Sequence, residues 1–219
     1  PTYQPCRVEL ERLAGHPSQR DAIYEVLEPI YREESQWEKL ATLKELRSSV
    51  CDAPHERASL LVAAAQIRRS HLSQRVLAFE NLSIALETSP EFVEARAQVI
   101  ELGEADARWS DLADIFSRSV ELSEDIDQTV SDHLMVADWC TERLADTERA
   151  IRHLNAALAL DDQNEPALDR LISLHRSRED WEPLTRVLLL RAECHYEPEP
   201  KLALLLDAGR VIAERLGDG

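Results

Sequence analysis

The sequence predicts an all-α solenoid built from helical pairs, and three observations carry that prediction. The composition is that of a helical protein: five Gly in 219 residues, 44% hydrophobic residues, 5% aromatics and long stretches of Ala, Leu, Glu and Arg, which are strong helix formers. Three of the four tryptophans, Trp37, Trp109 and Trp181, recur with a 72-residue period. Between them apolar residues recur in steps of three and four, the spacing of one helical face. Each helix then has a single apolar stripe, and only the stacking of several pairs closes a continuous core.

The 72-residue offset runs along the whole chain. Leu40, Leu112 and Leu184 follow the tryptophans at one station, and Leu43, Ile115 and Val187 share the next. Val50, Leu122 and Cys194 form another expected core station, and Leu61, His133 and Leu205 recur at the same offset. Small residues recur at Ala65, Ala137 and Gly209, where two helices are expected to cross closely. Upstream, Ile23, Leu27 and Ile30 are in register with Ala95, Val99 and Leu102 and with Ala167, Leu171 and Leu174, so the array begins before Trp37.

These patterns predict eleven or twelve helices. A weak helix over 6–14 precedes 18–34, which carries Ile23, Leu27 and Ile30. Trp37 opens 37–51, followed by 55–72, and Ala78, Leu82 and Ala85 mark 75–88. Pro90 sits where 91–105 starts, and Trp109 opens 109–124. The segment 128–144 contains Ala137, and Ala150, Leu154, Ala157 and Leu158 form one face of 147–160. A polar turn, Asp161-Asp162-Gln163-Asn164, separates it from 165–178, which starts at Pro166. Trp181, Leu184, Leu188 and Ala192 define 181–195, and 199–216 ends at Gly217. The expectation is one continuous array over 1–219, with repeats at 21–58, 59–92, 93–130, 131–164 and 165–202 and a partial one at 203–219. That half-built last repeat predicts either a segment of a longer protein or a bare helix that pairs with another molecule.

The charge excludes some functions. Against 42 Asp and Glu stand 25 Lys and Arg, a formal net charge of -17, which repels a phosphate backbone and argues against nucleic acid. A basic protein partner suits it, as does a merely solvated acidic surface. Cys6, Cys51, Cys140 and Cys194 show no CxxC spacing, so reduced thiols are the default and a cytoplasmic location is expected, with an exported compartment left open. No apolar run approaches the ~18 residues of a membrane span, so no membrane insertion is expected.

No chemical motif appears. GxGxxG, a Walker-type loop, GxSxG and HExxH are all missing, and the chain is expected to be non-catalytic, without cofactor or metal. His55-Glu56 lacks a second histidine one turn on, and Cys194-His195 are neighbours that face different ways on a helix, with Cys194 expected to be a small buried thiol. His133 and Cys140 stand seven residues apart, ~10.5 Å along a helix, too far to share a metal. Trp139 lies outside the tryptophan period, at a station shared with Ile67 and Val211. It is expected to be a core residue, and if exposed it becomes the leading anchor for a partner.

The segment His133-x-x-Val136-Ala137-x-x-Cys140, followed by Ala150-x-x-x-Leu154-x-x-Ala157, resembles the tetratricopeptide repeat (TPR). The likeness covers about Asp21 to Gly219, with pairs alternating between about 34 and 38 residues, and such a two-unit alternation looks like arrays found in bacterial scaffold proteins. The resemblance implies a right-handed superhelix of antiparallel helix pairs whose concave groove, lined by the first helix of each pair, holds a peptide or helix of another protein. The family's clamp for acidic C-termini is absent, since its stations carry Val62, Gln66 and Arg69, then Leu134, Asp138 and Thr141. Registration places Gln66, Arg69, Glu101, Asp138, Asp169 and Arg176 in the groove, and Trp139 joins them as the anchor candidate. The function implied is a non-catalytic interaction scaffold. Self-association, as a homodimer through the C-terminal end, is the alternative.

Overall fold

The computed structural model describes residues 4–13 and 20–217. They form twelve helices, α1 (Gln4–Leu13), α2 (Arg20–Glu33), α3 (Trp37–Ser49), α4 (Pro54–His71), α5 (Arg75–Thr88), α6 (Val93–Ala105), α7 (Trp109–Ser119), α8 (Ile126–Glu142), α9 (Thr147–Leu160), α10 (Glu165–Ser177), α11 (Trp181–Glu193) and α12 (Pro198–Val211), the last running into a π-helical turn, Ile212–Leu216. Among the described residues there is no strand. The all-α prediction holds. Two compact units divide the chain, Pro1–Arg108 with α1–α6 and Trp109–Gly219 with α7–α12, and within each unit helices adjacent in sequence pack on one another.

In the first unit, Ile23, Tyr24, Leu27 and Tyr31 of α2 pack with Leu40 and Leu43 of α3, and Leu10 and Leu13 of α1 close the cluster. Ala58, Ala64 and Ala65 of α4 and Ala78 and Ala85 of α5 are buried, small side chains that let the two backbones approach. In the second unit Leu112 and Phe116 of α7, Val136 and Cys140 of α8, Leu154 of α9, and Leu168 and Leu171 of α10 are buried. Leu184 and Leu188 of α11 pack with Ala208 and Val211 of α12.

The 72-residue period is written most clearly in the helix ends. Ser35, Ala107 and Glu179 have φ of 55°, 53° and 59°, and Ser73, Ala145 and Gly217 have φ of 55°, 53° and 63°. Each set keeps the 72-residue period, and the two interleave at alternating steps of 38 and 34. The left-handed residue lets the chain fold back onto the last turn. After the first set the next N–H reaches five residues back, Gln36 to Tyr31 at 2.8 Å, Arg108 to Gly103 at 2.8 Å and Asp180 to His175 at 2.9 Å. After Ser73 and Ala145 the step is six, Gln74 to Arg68 and Asp146 to Cys140, both 2.9 Å. Two kinds of helix end therefore alternate, which is why the period is two pairs rather than one.

The same offset governs the tryptophans, which open α3, α7 and α11. His71 stacks on Trp37, with ring centroids 3.8 Å apart, while the guanidinium groups of Arg143 and Arg215 lie 4.9 and 4.8 Å from the centroids of Trp109 and Trp181. Residues 71, 143 and 215 again share the 72-residue offset.

Three expectations need correction. The helix expected over 109–124 stops at Ser119, because Leu122 and Ser123 both donate their N–H to the Ser119 carbonyl in a turn that leads to Asp125, the N-cap of α8. The station of Val50, Leu122 and Cys194 is not uniformly core: Val50 is half-buried against the α2–α3 cluster, Cys194 is half-buried and Leu122 is 57% exposed. Val50 and Cys194 are the C-caps of α3 and α11, so the station falls where the chain leaves its helix. Gly209 is exposed, and a Cβ there would meet nothing within 4 Å, so only Ala65 and Ala137 of that station are buried small residues.

Candidate functional site

Residues assigned to the groove lie on the even-numbered helices, where ion pairs join one even helix to the next. In the first unit Arg69 of α4 donates to Glu101 of α6 at 3.2 Å. In the second unit Arg170 of α10 grips Asp138 of α8 through two bonds, 2.6 and 2.8 Å, and Arg176 of α10 donates to Asp207 of α12 at 2.5 Å. The partners are 31 or 32 residues apart in sequence, near one helical pair. Asp169 turns to Arg191 of α11 at 2.7 Å, and Arg191 also donates to Glu165 at 2.8 Å. The hydrogen bonds it donates to Asp138 hold the Arg170 guanidinium above its ordinary pKa, against the opposing pull of burial. Such exposed pairs contribute only ~0.2–1 kcal/mol each, so their effect is to fix side-chain positions, most firmly in the two-pronged Arg170–Asp138 pair.

Gln66 is exposed on α4. Trp139 is 7% exposed, its ring edge-on to Phe116 with centroids 5.5 Å apart. It is a core residue, so the condition that would make it an anchor is not met. The pairing residues Arg170, Asp207, Arg191 and Glu165 were not singled out from sequence. Their signal is the recurrence of opposite charges near one helical pair apart, which one helical face alone does not reveal.

Inside the first unit a tighter polar node joins three helices. Arg68 of α4, 5% exposed, donates to both oxygens of Glu45 on α3, at 2.6 and 2.8 Å, and to the side-chain oxygen of Gln74 at 2.5 Å. Asn81 of α5 donates to Glu45 at 2.7 Å. Burial works to raise the Glu45 pKa, but the bonds from Arg68 and Asn81 outweigh it and leave the carboxyl below its ordinary value.

In the second unit Ser117 of α7, His133 of α8 and Arg149, Arg152 and His153 of α9 line a cleft of about 450 Å³. The Ser117 hydroxyl donates to the Ala113 carbonyl at 2.5 Å, so its oxygen accepts from Arg149 at 2.9 Å and from His153 Nε2 at 3.1 Å. That places the His153 hydrogen on Nε2. Its Nδ1 is then the acceptor for His133 Nδ1, 2.9 Å away. Burial depresses both imidazoles, and His153 falls to about 4, with His133, Arg149 and Arg152 adding to the effect. The hydroxyl proton is committed to a helix carbonyl, so His153 has none to take and Ser117 lacks the polarity of an activated nucleophile.

Elsewhere a smaller, mainly apolar hollow of about 250 Å³ is lined by Leu27, Tyr31, Leu43 and Leu46 in the first unit. Among the described residues no three His, Cys, Asp or Glu are grouped to hold a metal, and no helix is long and apolar enough to cross a membrane. Cys194, expected to be buried, is half-buried and donates to the Leu190 carbonyl at 3.4 Å. No protein-family model matches the chain, and no curated protein sequence matches it.

Proposed function

We propose that the chain is a TPR-like scaffold, a right-handed α-solenoid that holds a peptide or helix of a protein partner against the face of its even-numbered helices. The observation that carries this reading is the set of side chains fixed by Arg69–Glu101 in the first unit and by Asp138–Arg170 and Arg176–Asp207 in the second. A face whose charges are already held in place loses little side-chain freedom when a partner docks. The net charge of -17 favours a basic partner through steering and complementarity.

The test is an array of short basic and acidic peptides probed with the full chain and two charge-reversed variants. Changing Glu101, Asp138 and Asp169 to Lys should abolish retention of the basic peptides. Changing Glu80, Glu182 and Glu193, on the odd-numbered helices α5 and α11, should leave it intact. Equal loss in both variants, or no retained peptide, would sink the reading.

A second reading, self-association, is favoured by Leu202, Leu205 and Leu206 of α12, all exposed. Light-scattering mass over a dilution series tests it, with Leu202→Glu and Leu206→Glu expected to abolish any dimer.

A further inference from the structure

The cleft between α7, α8 and α9 has a chemistry that the scaffold reading does not use. In a chain with 42 acidic and 25 basic residues, it gathers two arginines and two histidines against a single carboxylate, Glu121. Arg149, Arg152 and His153 stand at i, i+3 and i+4 on α9, on one side of the helix. Arg149 is held by Asp114 at 2.7 Å and by Ser117, whereas Arg152 is exposed and has no ion-pair partner among the described residues. The hydrogen-bond polarity derived above leaves His133 Nε2 with a lone pair and no partner among the described residues.

We propose that this cleft binds a phosphate-type oxyanion on Arg152, Arg149 and His133, with a proton taken up at His133 Nε2 as the anion enters. The proton completes an imidazolium without disturbing the existing bonds, because Nδ1 of His133 already donates to His153. Without an anion the charged form of His133 is opposed by burial and favoured by Asp132 beside it on α8, while Arg149 and Arg152 oppose charge on the neighbouring His153. An oxyanion reverses that balance, since an opposite charge within ~4–6 Å favours the protonated ring. Asp114 on α7 is engaged by Arg149, and Glu121 is the one acidic group that lines the cleft. The volume exceeds that of a bare phosphate, so the anion has two sources to be distinguished, free inorganic phosphate and a phosphate ester on a peptide side chain.

The experiment follows the His133 and His153 ring resonances of the full chain at constant ionic strength, titrated with inorganic phosphate and with a phosphoserine tripeptide. Sulfate, which does not titrate near neutrality, serves for the pH series. Saturable shifts are expected for at least one phosphate probe, weakened at least tenfold in Arg152→Ala and unchanged in Arg178→Ala, whose residue pairs with Glu148 and Asp180 outside the cleft. Equal affinity for the two probes assigns the site to free anion, and tenfold tighter binding of the tripeptide assigns it to a phosphorylated segment. Sulfate should bind more tightly at pH 6 than at pH 8. No shift at tens of millimolar, full binding by Arg152→Ala, or a flat sulfate profile overturns the proposal.

Discussion

The guanidinium of Arg143 lies 4.9 Å from the centroid of the Trp109 ring, bringing the residue just after α8 onto the first residue of α7. Arg215 repeats the contact on Trp181, and His71 replaces it with a ring stack on Trp37. Cations over half-exposed indoles contribute ~0.5–1 kcal/mol. Arg143→Ala should therefore lower stability by that amount in urea denaturation, while Trp109→Ala, which also empties a packed site, should cost about 2–3 kcal/mol. An unchanged midpoint in Arg143→Ala would mean the stack only follows the helix geometry.

Non-glycine residues at the left-handed helix ends hold a costly backbone. Ala107 and Ala145 sit at φ of 53°, where glycine is favoured by ~1–2 kcal/mol sterically, less the entropy it loses on folding. Each Ala→Gly change should stabilise by about 0.5–1 kcal/mol, or about 1–4 °C in Tm. At Gly209 the reverse substitution is the favourable one. The residue is helical with open space around its Cα, so Gly209→Ala should also stabilise, by about 0.5–1 kcal/mol, as differential scanning calorimetry would show.

Removing Arg68 leaves Glu45 half-buried beside Asn81 without its cation. Arg68→Ala should cost about 2–3 kcal/mol, and Glu45→Gln less, because Asn81 keeps an acceptor. Glu45 has a lowered pKa in the fold, so its contribution is complete above the ordinary carboxylate value and is lost as pH falls through the lowered one. The acid limb of a stability–pH curve should flatten in Glu45→Gln.

His153 carries the reverse linkage. Its folded pKa of about 4 lies below the ordinary 6.5, so the unfolded chain binds the proton more readily between those values. Stability should be full above about pH 6.5 and fall as pH drops toward 4, by about 1–2 kcal/mol once solvent screening of this half-exposed ring is allowed for. His153→Gln should make the slope shallower, leaving the part that the likewise depressed His133 contributes, and a melt series from pH 7 to 4 checks it.

Packing was legible in the sequence because every stacked pair needs apolar residues at fixed places, and the 72-residue recurrence from Trp37 to Trp181 displays them. Helix ends were legible where Pro166 or Gly217 marked them and less so at Leu122, whose apolar character masked a turn. The ion pairs were not, since nothing in the local spacing of Asp138 or Arg176 says which charge stands one helical pair away. The cleft was missed because Ser117, His133 and His153 come from three helices. One sign of it was present: His133 occupies a station that holds Leu61 and Leu205 in the other copies, and an imidazole where leucine is the rule calls for polar company.

The interleaved left-handed ends, which follow one another at alternating steps of 38 and 34, set the grain in which this chain can be cut and spliced. A graft of one full period, from Ser35 to Ala107 or from Ser73 to Ala145, joins a helix end to another of its own kind. A graft of one pair joins a five-step closure to a six-step one and leaves the following helix a residue out of phase. Gene duplication or protein engineering can therefore lengthen such an array by whole double-pair cassettes, and a single inserted pair would have to be accompanied by a rebuilt turn.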